Sequence, residues 1–293
     1  MKKLFCLSLL VILISCKKDK IATDKAEPQE KEILTELYGS WVGDFIVKER
    51  DTTKDLGEMY SNKINIVIKK ITENKVIGQS IVAGNNRPLE GKMTKTGNTI
   101  HFILNEPGDD KNDGVFDFEI KDNKVMTGIW IANNHKKEVT ERSFELTKKD
   151  FKYDPTVMLS EDQNFIDYEN PKEQKVKIED EDNEDNGEEY SETTYRVASE
   201  LVYTINSSTQ KLKESDIKNL KKIDLEILRN TIFARHGLTF KTKTVRQFFN
   251  GAEWYIPISS NVNSELTSTE KQNIAILKRF EKYAEDNYDS FGR

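Results

Sequence analysis

Cysteine is nearly absent from this 293-residue chain: there are two, Cys6 and Cys16, both within the first sixteen residues. For everything that follows them, a disulfide-stapled scaffold, a thiolate metal site and a cysteine nucleophile are excluded. Histidine is scarce too. His101, His135 and His236 are the full set, and none has a second histidine or a cysteine at metal-ligand spacing. Gly-x-Ser-x-Gly, His-Glu-x-x-His and glycine-rich phosphate-loop patterns are missing, which removes the local signatures of serine hydrolases, zinc peptidases and nucleotide binders. No run reaches the ~20 apolar residues that a membrane-spanning helix needs. With 14 glycines and 6 prolines the chain is neither collagen-like nor a low-complexity tract. These absences point away from catalysis and imply no cofactor and no metal. A carboxylate pair from distant strands leaves no local pattern, so an envelope hydrolase is the lesser alternative.

What is present begins at the N-terminus. Lys2 and Lys3 precede a charge-free run from Leu4 to Ser15, and Cys16 follows. This is the order of an export signal, with an apolar segment too short to cross a bilayer. Leu13-Ile14-Ser15-Cys16 resembles the lipobox of bacterial lipoproteins. That resemblance implies cleavage before Cys16, acylation of Cys16, and a mature chain held to the outer membrane of the cell envelope by lipid. Removing Lys2 and Lys3 would leave 43 basic and 51 acidic side chains, a net charge of −8. Such a chain fits poorly with nucleic acid. Residues 16–35 then read as a polar, flexible tether.

From residue 36 to 150 the signal is period-two alternation broken by turns. Trp41, Phe45 and Val47 share a face, as do Ile64, Ile66 and Ile68; Ile100, Phe102 and Leu104; Phe116, Phe118 and Ile120; and Phe144 and Leu146. About eight antiparallel strands are expected, closing into a barrel. Gly39-Ser40-Trp41 resembles the Gly-x-Trp signature of lipocalins, which implies a tryptophan plugging one end and allows a ligand cavity. The acidic loop Asp109–Gly114 has Lys111 where a calcium ligand would stand and reads as a hairpin turn.

Residues 151–194 are expected to be an acidic linker. Between 167 and 192 there are 12 acidic and 3 basic side chains, a composition that favours extended or disordered chain. Asp182-x-Glu184-x-Asn186-Gly187 starts like a calcium loop but reaches Thr193 where a bidentate carboxylate belongs.

Residues 195–293 carry helical periodicity and make the small all-α part of a multidomain chain. Ser215 and Asp224 are expected N-caps, Gly237 a left-handed C-cap, and Thr267-x-x-Glu270 a capping box. Residues 211–282 hold 14 basic and 8 acidic side chains. Leu228-Arg229-Asn230-Thr231-Ile232-Phe233-Ala234-Arg235-His236-Gly237-Leu238-Thr239-Phe240 resembles the motif of the YARHG domain, a module of bacterial exported proteins, with Phe233 in the place of the tyrosine. The likeness continues through Phe248-Phe249, Trp254-Tyr255 and Glu270–Ile274, and it implies no reaction.

The candidate binding residues are Arg229, Asn230, Arg235, His236, Trp254 and Tyr255. Two roles are open to them. They form a patch for an anionic envelope polymer, a peptide or a protein, or they are internal struts bonding loop carbonyls and nearby acids such as Asp224 or Glu253. A third arrangement docks the acidic linker on this basic surface. The functional expectation is a membrane-anchored lipoprotein that binds without catalysing; the alternative is a small-ligand carrier using the barrel interior.

Overall fold

The computed structural model describes residues 30–54, 61–108, 110, 112–177 and 189–284. The expected signal peptide 1–15, Cys16, all but the last residues of the tether, Asp109, Lys111 and the calcium-loop-like stretch beginning at Asp182 lie outside the described residues.

Eight strands follow the alternation: β1 (Gly39–Arg50), β2 (Ser61–Ile71), β3 (Val76–Val82), β4 (Asn85–Thr96), β5 (Thr99–Asn105), β6 (Gly114–Lys121), β7 (Val125–Ala132) and β8 (Val139–Lys149). Each pairs antiparallel with the next and β8 returns to β1, giving a closed barrel. Closure leaves no unpaired edge, which short alternating strands in an open sheet would expose. The inward set is the predicted one: Trp41, Phe45, Ile64, Ile66, Phe102, Phe116, Phe118 and Phe144 are all buried in one cluster. Phe102 stacks on Phe118 at 4.9 Å, and Phe45 meets Phe116 and Phe144 at 6.1 and 6.2 Å. Rings in mutual contact make this section a packed core, one of the two fillings open to a barrel of this size.

One end is closed by a 3-10 turn, Thr35–Leu37, seated over Trp41, whose Nε1 donates to the Leu37 carbonyl at 3.0 Å. At the other end Glu106 is buried and accepts from Ser80 Oγ (2.9 Å), the Gly114 N–H (2.9 Å) and Trp130 Nε1 (3.1 Å). Burial pushes this carboxyl up, against the pull of its donors. In the loop before β6, Arg87 donates to Asp110 (3.2 Å) and the Asn112 carbonyl (3.0 Å), and its Nε lies 3.5 Å from Asp113. Lys137 Nζ also reaches this acidic turn, donating to Asn112 Oδ1 at 2.9 Å. No cluster suited to a metal ion occurs among the described residues.

The C-terminal part contains α1 (Leu201–Thr204), α2 (Glu214–Ile217), α3 (Lys222–Arg235), α4 (Lys243–Asn250) and α5 (Ser268–Glu281). Helices α2 and α3 begin earlier than Ser215 and Asp224 suggest. Asp216 and Asp224 sit inside the first turn and accept from the backbone N–H of Lys213 (2.8 Å) and Lys221 (3.0 Å). Thr267 and Glu270 form the expected reciprocal capping box, at 3.2 and 2.9 Å.

The stretch expected as an acidic linker is built into the fold over much of its length. Leu159 and Phe165 enter the core of Phe248, Phe249 and Tyr255. Strands β9 (Ile166–Lys177) and β10 (Glu189–Val197) pair into a two-stranded ribbon. Asp167, fully buried, is the reason for order at the ribbon's base: Arg196 bonds it through Nη2 (2.6 Å) and Nε (3.0 Å) and also reaches Glu226 on α3 (3.2 Å). Net charge hid this, because paired acids count in composition like free ones.

Barrel and helices belong to one compact unit, Glu32–Arg293. Lys63 and Asn65 face outward from β2, yet both are buried. Lys63 Nζ donates to the Ala252 carbonyl (2.5 Å), Asn65 Nδ2 to that of Pro257 (2.8 Å), and Thr239 Oγ1 accepts from the Gly84 N–H (3.0 Å). Buried polar groups with partners across a seam fix its register, since sliding would leave them unpaired.

Candidate functional site

The motif helix α3 is buried on two sides. Ile223, Ile227 and Ala234 pack into the cluster of Phe248 and Phe249. Leu225, Leu228 and Ile232 pack into a second one with Ile274 and Leu277 of α5. The helix ends as its glycine dictates. Gly237 adopts φ 73°, the Leu238 N–H returns to the Phe233 carbonyl (3.0 Å) and the Gly237 N–H to that of Ala234 (2.9 Å). A Cβ on Gly237 would lie 2.5 Å from Ile258 Cγ1 and 2.9 Å from the Ile256 carbonyl oxygen. Gly237→Ala therefore meets both a left-handed backbone and a wall, and should lower stability by about 1–3 kcal/mol, read as the urea midpoint.

The chain leaving β8 crosses this helix end. Its Val157 carbonyl accepts two bonds from Arg235, Nε at 2.9 Å and Nη2 at 2.7 Å, while Ser208 Oγ accepts from Nη1 at 3.0 Å. Burial lowers the Arg235 guanidinium to about 10, so it stays charged at neutral pH. Tyr153 stacks on the His236 ring (4.2 Å between centroids, 17° between planes) and donates its hydroxyl to Glu270 Oε1 at 3.0 Å. His236 Nε2 meets Glu270 Oε2 at 2.9 Å. Glu270 is fully buried. Its burial alone would push the carboxyl up, but the Thr267 N–H and His236 hold it below the usual glutamate range. Burial, together with the Glu270 charge, pushes the Tyr153 hydroxyl up to about 12.

Two clefts open beside Phe151 of this crossing segment. One, of about 400 Å³, is lined by Lys149, Phe151, Lys152, Arg235, Glu253 and Trp254. Its neighbour, of about 330 Å³, is lined by Phe151, Tyr153, His236, Ile258, Val262 and Glu265. The two motif residues thus stand one in each wall.

Of the sequence-derived candidates, Arg235 and His236 converge on this junction. Arg229 and Asn230 do not. Arg229 makes a two-pronged pair with Glu281 (2.5 and 3.0 Å) and a bond to Asn230 Oδ1 (3.1 Å), and Asn230 is buried. Of the acids they were expected to meet, Asp224 bonds Ser199 instead (2.7 and 2.9 Å), whereas Glu253 lines the same cleft as Arg235. Tyr255 is buried, donates to the Leu238 carbonyl (2.6 Å) and packs on Phe240 and Phe249. Trp254 sets its edge against Phe249, and its indole N–H is buried without a hydrogen-bond partner. Sequence reasoning missed Tyr153, Val157 and Ser208, because nothing local marks a residue whose partner lies dozens of positions away. It found Glu270 only as a cap.

In comparison with known proteins, no curated protein and no solved structure matches the chain, whereas the family model of the YARHG domain matches residues 200–282, the helical part that holds the Arg235–His236–Glu270 junction.

Proposed function

We propose that this chain is a cell-envelope lipoprotein, anchored to the outer membrane through acylated Cys16, that binds a partner without catalysing a reaction. The partner is a peptide-like or polymeric segment of the envelope, and it is received in the paired clefts beside Phe151. The carrying observation is that pairing: two adjoining clefts, about 400 and 330 Å³, meet at one aromatic side chain. The first offers Lys149, Lys152 and Arg235 together with Asp150, Asp154 and Glu253. A ligand bearing both charge signs, as a peptide does, matches such a lining better than a purely anionic polymer. Trp254 supplies a flat apolar wall, the usual companion of a few placed charges in a ligand site. The binding role does not require Arg235 and His236 to release their internal bonds. They shape the cleft walls, and the more exposed Lys152 and Trp254 meet the ligand.

The test separates contact from architecture. Lys152→Glu combined with Asp150→Lys, both exposed residues of the first cleft, should weaken retention on isolated envelope fragments by about tenfold or more and leave the unfolding midpoint nearly unchanged. Arg235→Ala should lower the midpoint instead. Retention unaffected by the double variant would refute the cleft reading. Labelled fatty acid appearing on the wild type and vanishing in Cys16→Ala would establish the anchor independently of binding.

A further inference from the structure

Strand β10 is an edge. Among the described residues it pairs only with β9. Edge strands present a row of unpaired N–H and C=O groups, and proteins guard them with proline, lysine, bulges or covering elements. The outer side of β9 has such guards. Pro171 lies in an irregular stretch, Gln247 on α4 donates to the Ile166 carbonyl (2.6 Å), and Asn170 bonds Thr244 at the start of α4 (3.0 Å). β10 has none. Its sequence Glu-Tyr-Ser-Glu-Thr-Thr-Tyr-Arg-Val lacks proline and lysine and is rich in residues that favour strands. Its one arginine, Arg196, is committed to Asp167 and Glu226.

The ribbon is also bare where it is most apolar. Tyr168 and Tyr195 are each 41% exposed with rings in edge contact at 5.2 Å, and Val197, paired with Ile166, is 46% exposed. The opposite side at this level carries the buried Asp167–Arg196 pair, so one side is docked on the helices and the other is free. The remaining charges on β10 are acidic: Glu192, and Glu189, whose exposed carboxylate lies 3.8 Å from Lys175 of β9; from Glu179 to Glu192 the sequence has no basic residue.

We propose that the free edge of β10 takes up an extended, lysine- or arginine-bearing segment of another polypeptide as a third strand. Main-chain bonds to the edge would supply affinity, as in other strand additions. Glu192 would select a basic side chain, joined by Glu189 in exchange for its exposed pair with Lys175, and the Tyr195–Tyr168–Val197 patch would take apolar side chains or offer a ring face to a cation. A second copy of this chain is a poor occupant, because edge-to-edge pairing would bring the glutamates of both copies together. This surface is separate from the clefts beside Phe151, and its test does not depend on them.

The probe is a labelled twelve-residue peptide alternating lysine and valine, with a glutamate–valine peptide as the counterpart, titrated into the full chain and followed by fluorescence anisotropy. The lysine peptide should bind and the glutamate peptide should not. Glu189→Lys with Glu192→Lys should weaken the former by about tenfold or more and admit the latter. Because acidic chains attract polycations without specificity, hydrogen exchange provides the second measurement: peptide binding should slow exchange of amides within 189–197. Tyr195→Ala with Val197→Ala should weaken binding at unchanged charge. The proposal fails if the lysine peptide does not bind, if it binds without protecting those amides, if either variant pair leaves its affinity unchanged, or if the chain self-associates through this edge.

Discussion

Glu270→Ala is expected to destabilise the folded unit by about 3–5 kcal/mol, the range for removing one partner from a buried charged network. The carboxylate holds the His236 ring, the Tyr153 hydroxyl and the Thr267 N–H, the last being its share of the capping box at the start of α5. Truncation leaves the buried histidine and the half-buried tyrosine without their acceptor, which costs more than the net worth of the bonds themselves. Glu270→Gln keeps the shape and one acceptor oxygen, and a loss of about 1–2 kcal/mol is expected. The pH dependence distinguishes charge from shape. In the folded protein this carboxyl titrates below its ordinary value of 4.5, so the stability it confers is complete above that value and is lost as pH falls through the lower, folded one. Urea midpoints of the wild type should drop over that interval more steeply than those of Glu270→Gln. Parallel profiles would mean that His236 and Tyr153 are held without the charge.

The barrel was legible because its signal is local. A period of two, repeated between Asn, Asp and Gly turns, specifies both the strands and their inward faces, and Trp41, Ile66, Phe102, Phe118 and Phe144 are all buried as alternation requires. The helical part was legible for the same reason, with glycine and capping-box chemistry marking the ends of α3 and α5. The ribbon was not. Its strands are short of aliphatic residues and heavy in acid, and order at its base depends on the Asp167–Arg196 pair, 29 positions apart. Lys63 and Asn65 on β2 likewise look like ordinary solvent-facing polar positions until the backbone carbonyls of Ala252 and Pro257 are brought against them.

The motif residues show the same division. That Arg235 and His236 lie in the last turn of a helix follows from Gly237, and positive charge there suits the helix dipole. What they bond does not follow. Arg235 meets a carbonyl at Val157, inside the supposed linker, and His236 meets a glutamate read only as a cap. Their polar atoms are used internally, as the strut role requires, while their side chains form part of the cleft walls.

Trp41→Ala should cost about 3–5 kcal/mol, the range for deleting a large ring from a core. Trp41 and the Leu37 side chain above it are both fully buried, so the space left cannot be refilled by water at low cost and the lid turn loses its floor. Trp41→Phe retains most of the apolar area but frees the Leu37 carbonyl, which now accepts from the indole at 3.0 Å, and about 1–2 kcal/mol is expected. The reach of the effect is the more telling measurement. Ser40, next to Trp41, accepts from Asn65 Nδ2 (3.1 Å), and the same amide group bonds the Pro257 carbonyl of the helical part. With Lys63 and Gly84 also bonded across the seam, unfolding the barrel strands buried or unpaired polar partners in the helices. Trp41→Ala should therefore raise hydrogen exchange in α3, whose end faces the seam, along with that in β1 and β2, and all should shift in a single urea transition. Faster exchange in the barrel strands with α3 unchanged would show that the helices keep their fold without the barrel, and that the bonds to Ala252, Pro257 and Thr239 position the two parts without coupling their stability.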